Sequence, residues 1–247
     1  MRLAWRVRNA LPPDARRRFR TVADALLAPV GSLAGARHVP STLAVTFDDG
    51  PDPDVTPRVL DLLDSHDVRA TFFVLTDRVI LRPDLAREVV ARGHEIALHG
   101  DRHDRMTLLP PAQVRQRLSA ARSLLEEVVE RPVHLFRPPF GAQSLRTYRA
   151  ARSAGLDVVV WGPYAAEWQD GTPQDLADRA ARGLAPGTVL LLHDGLEVPA
   201  GELVPKVDRV AAFDLILGRM AESQLRGTTV GDLMACGRPR RTAWFRP

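Results

Sequence analysis

Two imidazoles four residues apart, His99 and His103, and two adjacent carboxylates, Asp48 and Asp49, are the most chemically loaded positions in this 247-residue sequence. On a helical turn an i, i+4 pair of histidines puts both rings on one face, where they can share a cation. One Asp added to them makes a three-ligand set with a position left open for water or substrate, as catalytic zinc sites keep. Neither motif decides the matter alone. Histidine pairs arise by chance on surfaces, and Asp48-Asp49-Gly50-Pro51 also suits an ordinary turn. Adjacent carboxylates do repel, however, and a nearby cation relieves that repulsion. The chain has a single cysteine, Cys236, so a disulfide framework and a cysteine-rich zinc site are both excluded. Any metal must be held by His, Asp or Glu.

Further along, Arg137 precedes Pro138 and Pro139. It reads either as a surface side chain or as part of a site. The prolines stiffen the loop and carry no N–H, so the Phe140 N–H stands out as a donor with a defined direction. Such a donor is what a developing oxyanion needs. His193 follows the apolar run Val189-Leu190-Leu191-Leu192 and is either a buried core histidine or, at a strand end facing a metal, a general acid. Trp161, Tyr164, Glu167 and Trp168 crowd one loop, and their aromatic rings offer stacking faces suited to a sugar. His94 reads as structural, and Trp5, Trp244 and Cys236 as packing or bland residues.

These residues need elements to position them. Strand-like runs at 42–47, 70–75, 94–98, 133–136, 156–161, 188–192 and 228–230 alternate with helical patterns at 57–66, 84–92, 111–130, 145–153, 173–183 and 207–223, with Thr172 as a candidate N-cap. Near-continuous apolar strands between amphipathic helices predict a parallel sheet covered by helices. A dinucleotide-binding reading is disfavoured, because the first strand ends in two acids rather than a glycine-rich phosphate loop. The expectation is an α/β fold, a distorted (β/α) barrel of about seven strands. Barrel active sites lie at the C-terminal strand ends, where Asp48, Asp49, His99, Arg137, Trp161 and His193 fall.

The expected organisation is a basic arm over 1–40, one domain over 41–235 and a tail over 236–247. Residues 1–40 hold eight Arg and two Asp, a net of +6 within a whole-chain +4, so the remainder sums to −2. A nearly neutral body argues against nucleic acid as a partner. No run of about 18 apolar residues is present, so no transmembrane helix is expected. Arg16-Arg17-Arg18-Phe19 resembles a twin-arginine signal, but Asp24 and Pro29 interrupt the apolar run behind it. A cytoplasmic location is expected, with export as the alternative. The arm suits peripheral contact with an anionic membrane surface, and a monomer is the default.

Read together and in order, Thr46-Phe47-Asp48-Asp49-Gly50-Pro51, His99-x-x-x-His103, Arg137-Pro138-Pro139-Phe140-Gly141 and Leu191-Leu192-His193-Asp194 resemble the motifs of the polysaccharide deacetylase family. That family shares the NodB homology domain and is carbohydrate esterase family 4. The resemblance spans roughly residues 41–235. It implies a distorted barrel, a divalent metal (zinc first, with cobalt, nickel or manganese as alternates) and removal of N-linked acetyl groups from sugars. It implies that Asp49, His99 and His103 hold the metal, that Asp48 is the general base, and that Arg137 fixes Asp48. It also implies that the Phe140 N–H receives the oxyanion, that His193 is the general acid, and that Trp168 walls the acetyl pocket. Two positions depart from the family pattern. Gly100 stands where Ser or Thr is usual, and Glu167 stands where Asp orients the catalytic histidine. Two other readings are a catalytically silent glycan- or metal-binding module and an amide hydrolase of the same fold acting on a non-sugar substrate.

Overall fold

Seven short strands, all parallel, form one sheet. In chain order they are β2 (Thr42–Asp48), β3 (Thr71–Leu75), β4 (Glu95–Gly100), β5 (Leu135–Phe136), β6 (Asp157–Val158), β7 (Val189–His193) and β8 (Arg226–Thr228). The spatial order is β6-β5-β4-β3-β2-β7, with β8 paired to the first residues of β2. The two ends of this path are bridged by the chain beyond β6: Gly162 N–H donates to Val189 O and Leu191 N–H to Pro163 O. The outline is therefore the expected distorted barrel with a thin seam. The computed structural model describes residues 31–197 and 204–246. Residues 1–30 of the basic arm expected over 1–40, with the twin-arginine-like run, lie outside the described residues.

Strand alternation assigns each residue its side. Leu43, Val45 and Phe47 of β2 face outward into the main core with Phe72, Val74, Leu98, Leu190 and Leu192. The helices cover this layer. Helix α1 (Thr56–Ser65) buries Val59, Leu60 and Leu63, while α2 (Thr76–Leu81) and α3 (Pro83–Ala91) follow β3. The long α4 (Pro111–Val129) buries Val114, Leu118, Ala121 and Leu125 at helical spacing. Helix α5 (Leu145–Ser153) starts at a Ser144–Thr147 capping box, and α6 (Pro173–Ala181) at a Thr172–Asp175 box, so Thr172 is the N-cap. Helix α7 (Arg209–Glu222) buries Phe213, Ile216 and Leu217. The barrel interior is a second, smaller cluster of Ala44, Phe73, Ala97, Val159 and Val189. None of the described helices is long and apolar enough to cross a membrane.

Four elements were not legible as such. Helix α2 and helix α8 (Val230–Cys236) are too short to show a period; α8 takes the place of the end of the strand expected at 228–230. Strands β1 (Ser32–Arg37) and β9 (Arg238–Thr242), assigned by the sequence reading to the arm and the tail, pair antiparallel in a two-stranded ribbon. Their Gly, Ala, Arg and Pro content gives little strand propensity. Tertiary contact decides their conformation instead. Leu33 O accepts from Val160 N–H and Ala36 N–H donates to Gly187 O, so β1 lies over the seam. Gly35 and Gly187 permit this approach. A Cβ on either would sit about 2 Å from a backbone carbonyl oxygen of the other segment, and both have positive φ.

Candidate active site

The interior face of β2 runs Ala44, Thr46, Asp48, so the alternation that builds the core also aims Asp48 into the barrel mouth. Asp49 would then point away. Its left-handed φ of 70° turns the chain and returns its carboxylate to the same side. Asp tolerates this conformation better than most residues, and such strain gathers at functional sites. His99 stands on β4 two residues past the interior Ala97. The expected helical turn between the histidines is absent: His99 belongs to a strand and His103 to the loop after it. The loop turns at Gly100, whose φ of 131° is a conformation side chains rarely adopt. A serine or threonine would be strained in that backbone, which gives the departure at position 100 a physical reason. Arg117 of α4 then clamps the loop through both oxygens of Asp101 and through Asp104.

The three donors converge. Asp49 Oδ1 lies 3.2 Å from His99 Nε2 and 3.4 Å from His103 Nε2. The ligand atoms of the triad all lie within 4.8 Å of one another. Asp49 Oδ1 is buried and accepts no hydrogen bond. His99 Nδ1 donates to the Arg137 carbonyl at 2.8 Å, which fixes the tautomer and leaves the Nε2 lone pair toward Asp49. Burial lowers His103 to a pKa of about 4 despite the Asp49 charge, so its ring is neutral at neutral pH. Burial would raise the Asp49 carboxyl, but the surrounding imidazoles, His99 foremost, hold it well below the ordinary range. Two imidazole nitrogens and a carboxylate with an unpartnered oxygen fit a divalent cation.

Beside the triad, Arg137 is fully buried and its Nη1 donates to Asp48 Oδ1 at 2.6 Å and to the Thr46 hydroxyl at 2.8 Å. Thr46 in turn donates to Leu190 O at 2.6 Å. The guanidinium lies 4.1 Å over the Phe73 ring and 5.7 Å from that of Trp161, an arrangement that confines it by packing as well as charge. Phe140 also has a positive φ, 59°. The turn's own bonds run from Gly141 N–H to Pro138 O and from Ala142 N–H to Pro139 O, so the Phe140 N–H takes no part in them. Its ring covers His103 with 4.1 Å between centroids.

Across the mouth, β7 brings His193. Glu167 is completely buried and grips it twice: Oε1 accepts from the His193 backbone N–H at 3.0 Å and Oε2 pairs with Nδ1 at 3.3 Å. The longer side chain therefore reaches the histidine where the family pattern has Asp. Burial disfavours the charged ring, but Glu167, with Asp49 and Asp48 behind it, raises His193 to about 9. Trp168 sets its ring edge-on to His193 at 5.3 Å and stacks on Tyr164 at 5.7 Å and 13°. Both aromatic rings are half exposed at the rim. Trp161 sits deeper, against Trp244, whose indole N–H bonds Gly141 O. His94 is buried far from this group and accepts from Ala70 N–H, in keeping with a structural role.

Three supporting residues escaped the sequence reading. Thr46 was detectable, since it shares the face of Asp48 two residues earlier. Thr56 and Arg209 were not. The Thr56 hydroxyl donates to Asp194 Oδ2 at 2.6 Å across 138 residues of chain, and Arg209 donates to the carbonyls of His193 and Gly195. Burial raises Asp194 to a pKa of about 7, with the Thr56 bond opposing.

Residues 36–159 match the family model described as Polysaccharide deacetylase. The chain is 35% identical over 173 residues, 70% of its length and 76% of the relative's, to a chitooligosaccharide deacetylase of Bradyrhizobium sp. (strain ANU 289). It is 31% identical over 194 residues, 78% of its length and 87% of the relative's, to a peptidoglycan-N-acetylglucosamine deacetylase of Bacillus cereus. A family 4 carbohydrate esterase from Streptomyces lividans, solved in complex with acetate, superposes with a TM-score of 0.69 at 25% identity, covering 84% of this chain and 100% of that one.

Proposed function

This chain belongs to the polysaccharide deacetylase family, and we propose that it is a metal-dependent hydrolase releasing acetate from an N-acetylated sugar. The observation that carries this reading is the convergence of Asp49, His99 and His103 around one unpartnered buried oxygen, with the Asp48–Arg137 pair beside it. The three would hold a divalent cation, zinc by donor chemistry, and when bound it polarises an acyl carbonyl and activates water. Asp48 receives the proton of the attacking water. Arg137 and Thr46 fix its carboxylate while the packed Phe73 ring prevents the guanidinium from swinging away. The Phe140 N–H donates to the oxygen on which negative charge develops. His193 delivers its proton to the departing nitrogen as the C–N bond breaks, and Glu167, bonded to its Nδ1 side, leaves Nε2 for that transfer.

The stacked Tyr164 and Trp168 support a sugar over a non-sugar amide, because a pyranose ring offers an apolar face to aromatic rings. A silent binding module would lack the base, the acid or a ligand, and all of these side chains are in place. Acetate release should be measured on chitin oligomers, peptidoglycan fragments, acetylated xylan and lipid-linked N-acetylglucosamine, with and without a chelator. Activity that survives chelation would overturn the metal assignment, and no release from any acetamido sugar would overturn the substrate.

A further inference from the structure

Between Arg105 and Leu125, and again between Arg131 and Leu156, the sequence contains no Asp or Glu. The fold brings these two acid-free segments together, since α4 packs on α5 and the short turn Met106–Leu108 also rests on α5. Four of their arginines have carboxylate partners. Arg117 pairs with Asp101 and Asp104, Arg122 with Glu126, Arg152 with Asp157 and Arg137 with Asp48. Arg115, Arg146 and Arg149 differ. All three are exposed, none pairs with a carboxylate among the described residues, and together they line one open groove of about 470 Å³ between the start of α4 and α5.

One segment links the elements of the groove to the active-site mouth. Arg105, directly before the turn that rests on α5, sets its guanidinium 4.8 Å over the Phe140 ring, and Phe140 lies on His103. A chain leaving the pocket over Phe140 passes Arg105, on the segment that leads into the turn packed against α5. Like charges crowded on one concave strip raise the local potential and attract anions. Guanidinium forks engage carboxylates bidentately at defined positions, which suits an ordered ligand laid in a groove more than a flat bilayer.

We propose that this groove is a subsite for the negatively charged part of the substrate, so that the enzyme takes an acidic glycan bearing carboxylates next to its N-acetylated sugar. This deepens the deacetylase reading and rests on it for the position of the reacting sugar. The test compares a neutral chitooligosaccharide with a carboxylate-bearing N-acetylated oligosaccharide of equal length, in the wild type and in an Arg115→Gln/Arg146→Gln/Arg149→Gln variant. Glutamine keeps most of each side-chain stem while removing the charge. The wild type should favour the acidic glycan about tenfold, through KM rather than kcat, and about 0.5 M salt should erase most of that preference. The variant should lose the preference and leave turnover of the neutral sugar unchanged.

Calorimetric binding of the same acidic oligosaccharide supplies a readout independent of turnover, with affinity about tenfold weaker in the variant. If neither sugar is hydrolysed but that difference persists, the groove stands and the deacetylase reading fails. Equal KM values for the two sugars, together with equal calorimetric affinities in wild type and variant, would overturn the groove. So would binding to anionic phospholipid vesicles that the variant loses while its handling of both sugars stays unchanged.

Discussion

On the β4 side of the mouth the buried oxygen of Asp49 is left wanting, whereas on the β7 side His193 is satisfied by the protein itself. Asp49 Oδ1 is buried with nothing to accept from, and His99 and His103 turn their Nε2 atoms toward it. His193, by contrast, is held at its backbone and its ring by the two oxygens of one buried glutamate. A buried polar group without a partner costs roughly 1–3 kcal/mol, more when charged, so the β4 side is complete only with something from outside. His193 needs no such ligand, because its chemistry depends on a proton whose affinity Glu167 has already set. One half of the pocket is tuned by a ligand it must bind and the other by a residue it carries.

This contrast can be broken from the metal side first. Chelation, or His99→Ala, should reduce acetate release to background. Refilling with zinc should restore the chelated wild type but not the variant. The bound ion should also stabilise the fold, by about 4 kcal/mol at a thousandfold excess over its Kd, read as a rise in melting temperature. Next in size, Asp48→Asn should lower kcat about 10²–10⁴-fold while metal content, measured by atomic absorption, stays at wild-type level. A variant that lost its metal as well would show that the two carboxylates share one task.

The β7 side is sharpened by Glu167→Gln. His193 must carry a proton to act, so activity falls as pH rises through its pKa of about 9. Without the neighbouring carboxylate the alkaline limb of kcat/KM should move to lower pH by about one unit or more. An unmoved limb would remove His193 from the role of acid. The same pair bears on stability. His193 is raised above its ordinary 6.5, so its contribution is full below pH 6.5 and is lost as pH climbs through about 9.

Smaller effects come from the backbone and from behind the site. Gly100→Ser should cost about 1–3 kcal/mol in denaturant unfolding, through forced positive φ and a Cβ 3.2 Å from Arg102 O, and should weaken zinc affinity. Asp194 has the opposite sign to a paired carboxylate. The folded state holds its proton up to about 7 and the unfolded chain releases it near 3.8. Stability of the metal-free protein should therefore decline between those pH values, and Asp194→Asn should flatten that decline in pH-dependent melting curves.

Much of the pocket was legible because chemistry at strand ends is local. Apolar runs ending in Asp48-Asp49, His99 and His193 announce both the strands and what they present. The paired prolines mark Phe140 in the same way. What stayed hidden depends on distance or on backbone torsion. That Asp48 and Asp49 face the same way rests on one left-handed residue. That Glu167 can substitute for a shorter acid depends on where its loop sits. The Thr56 partner of Asp194 lies 138 residues away in sequence, where no spacing rule reaches. The ribbon of β1 and β9 was invisible for the same reason, since neither strand reads as one without the other.

That ribbon sets an order of events. Arg240 donates a hydrogen bond to Ala34 O across 206 residues of sequence, among the longest separations in the fold. Closing so large a loop is entropically costly and brings no reward until the intervening elements are in place. While the chain is being synthesised, β1 waits without its partner, and the strand that covers the seam between β6 and β7 has one edge unpaired until β9 emerges. The barrel then resembles a parcel whose string is tied last, with its first strand held in readiness for a stretch of chain made after every catalytic residue.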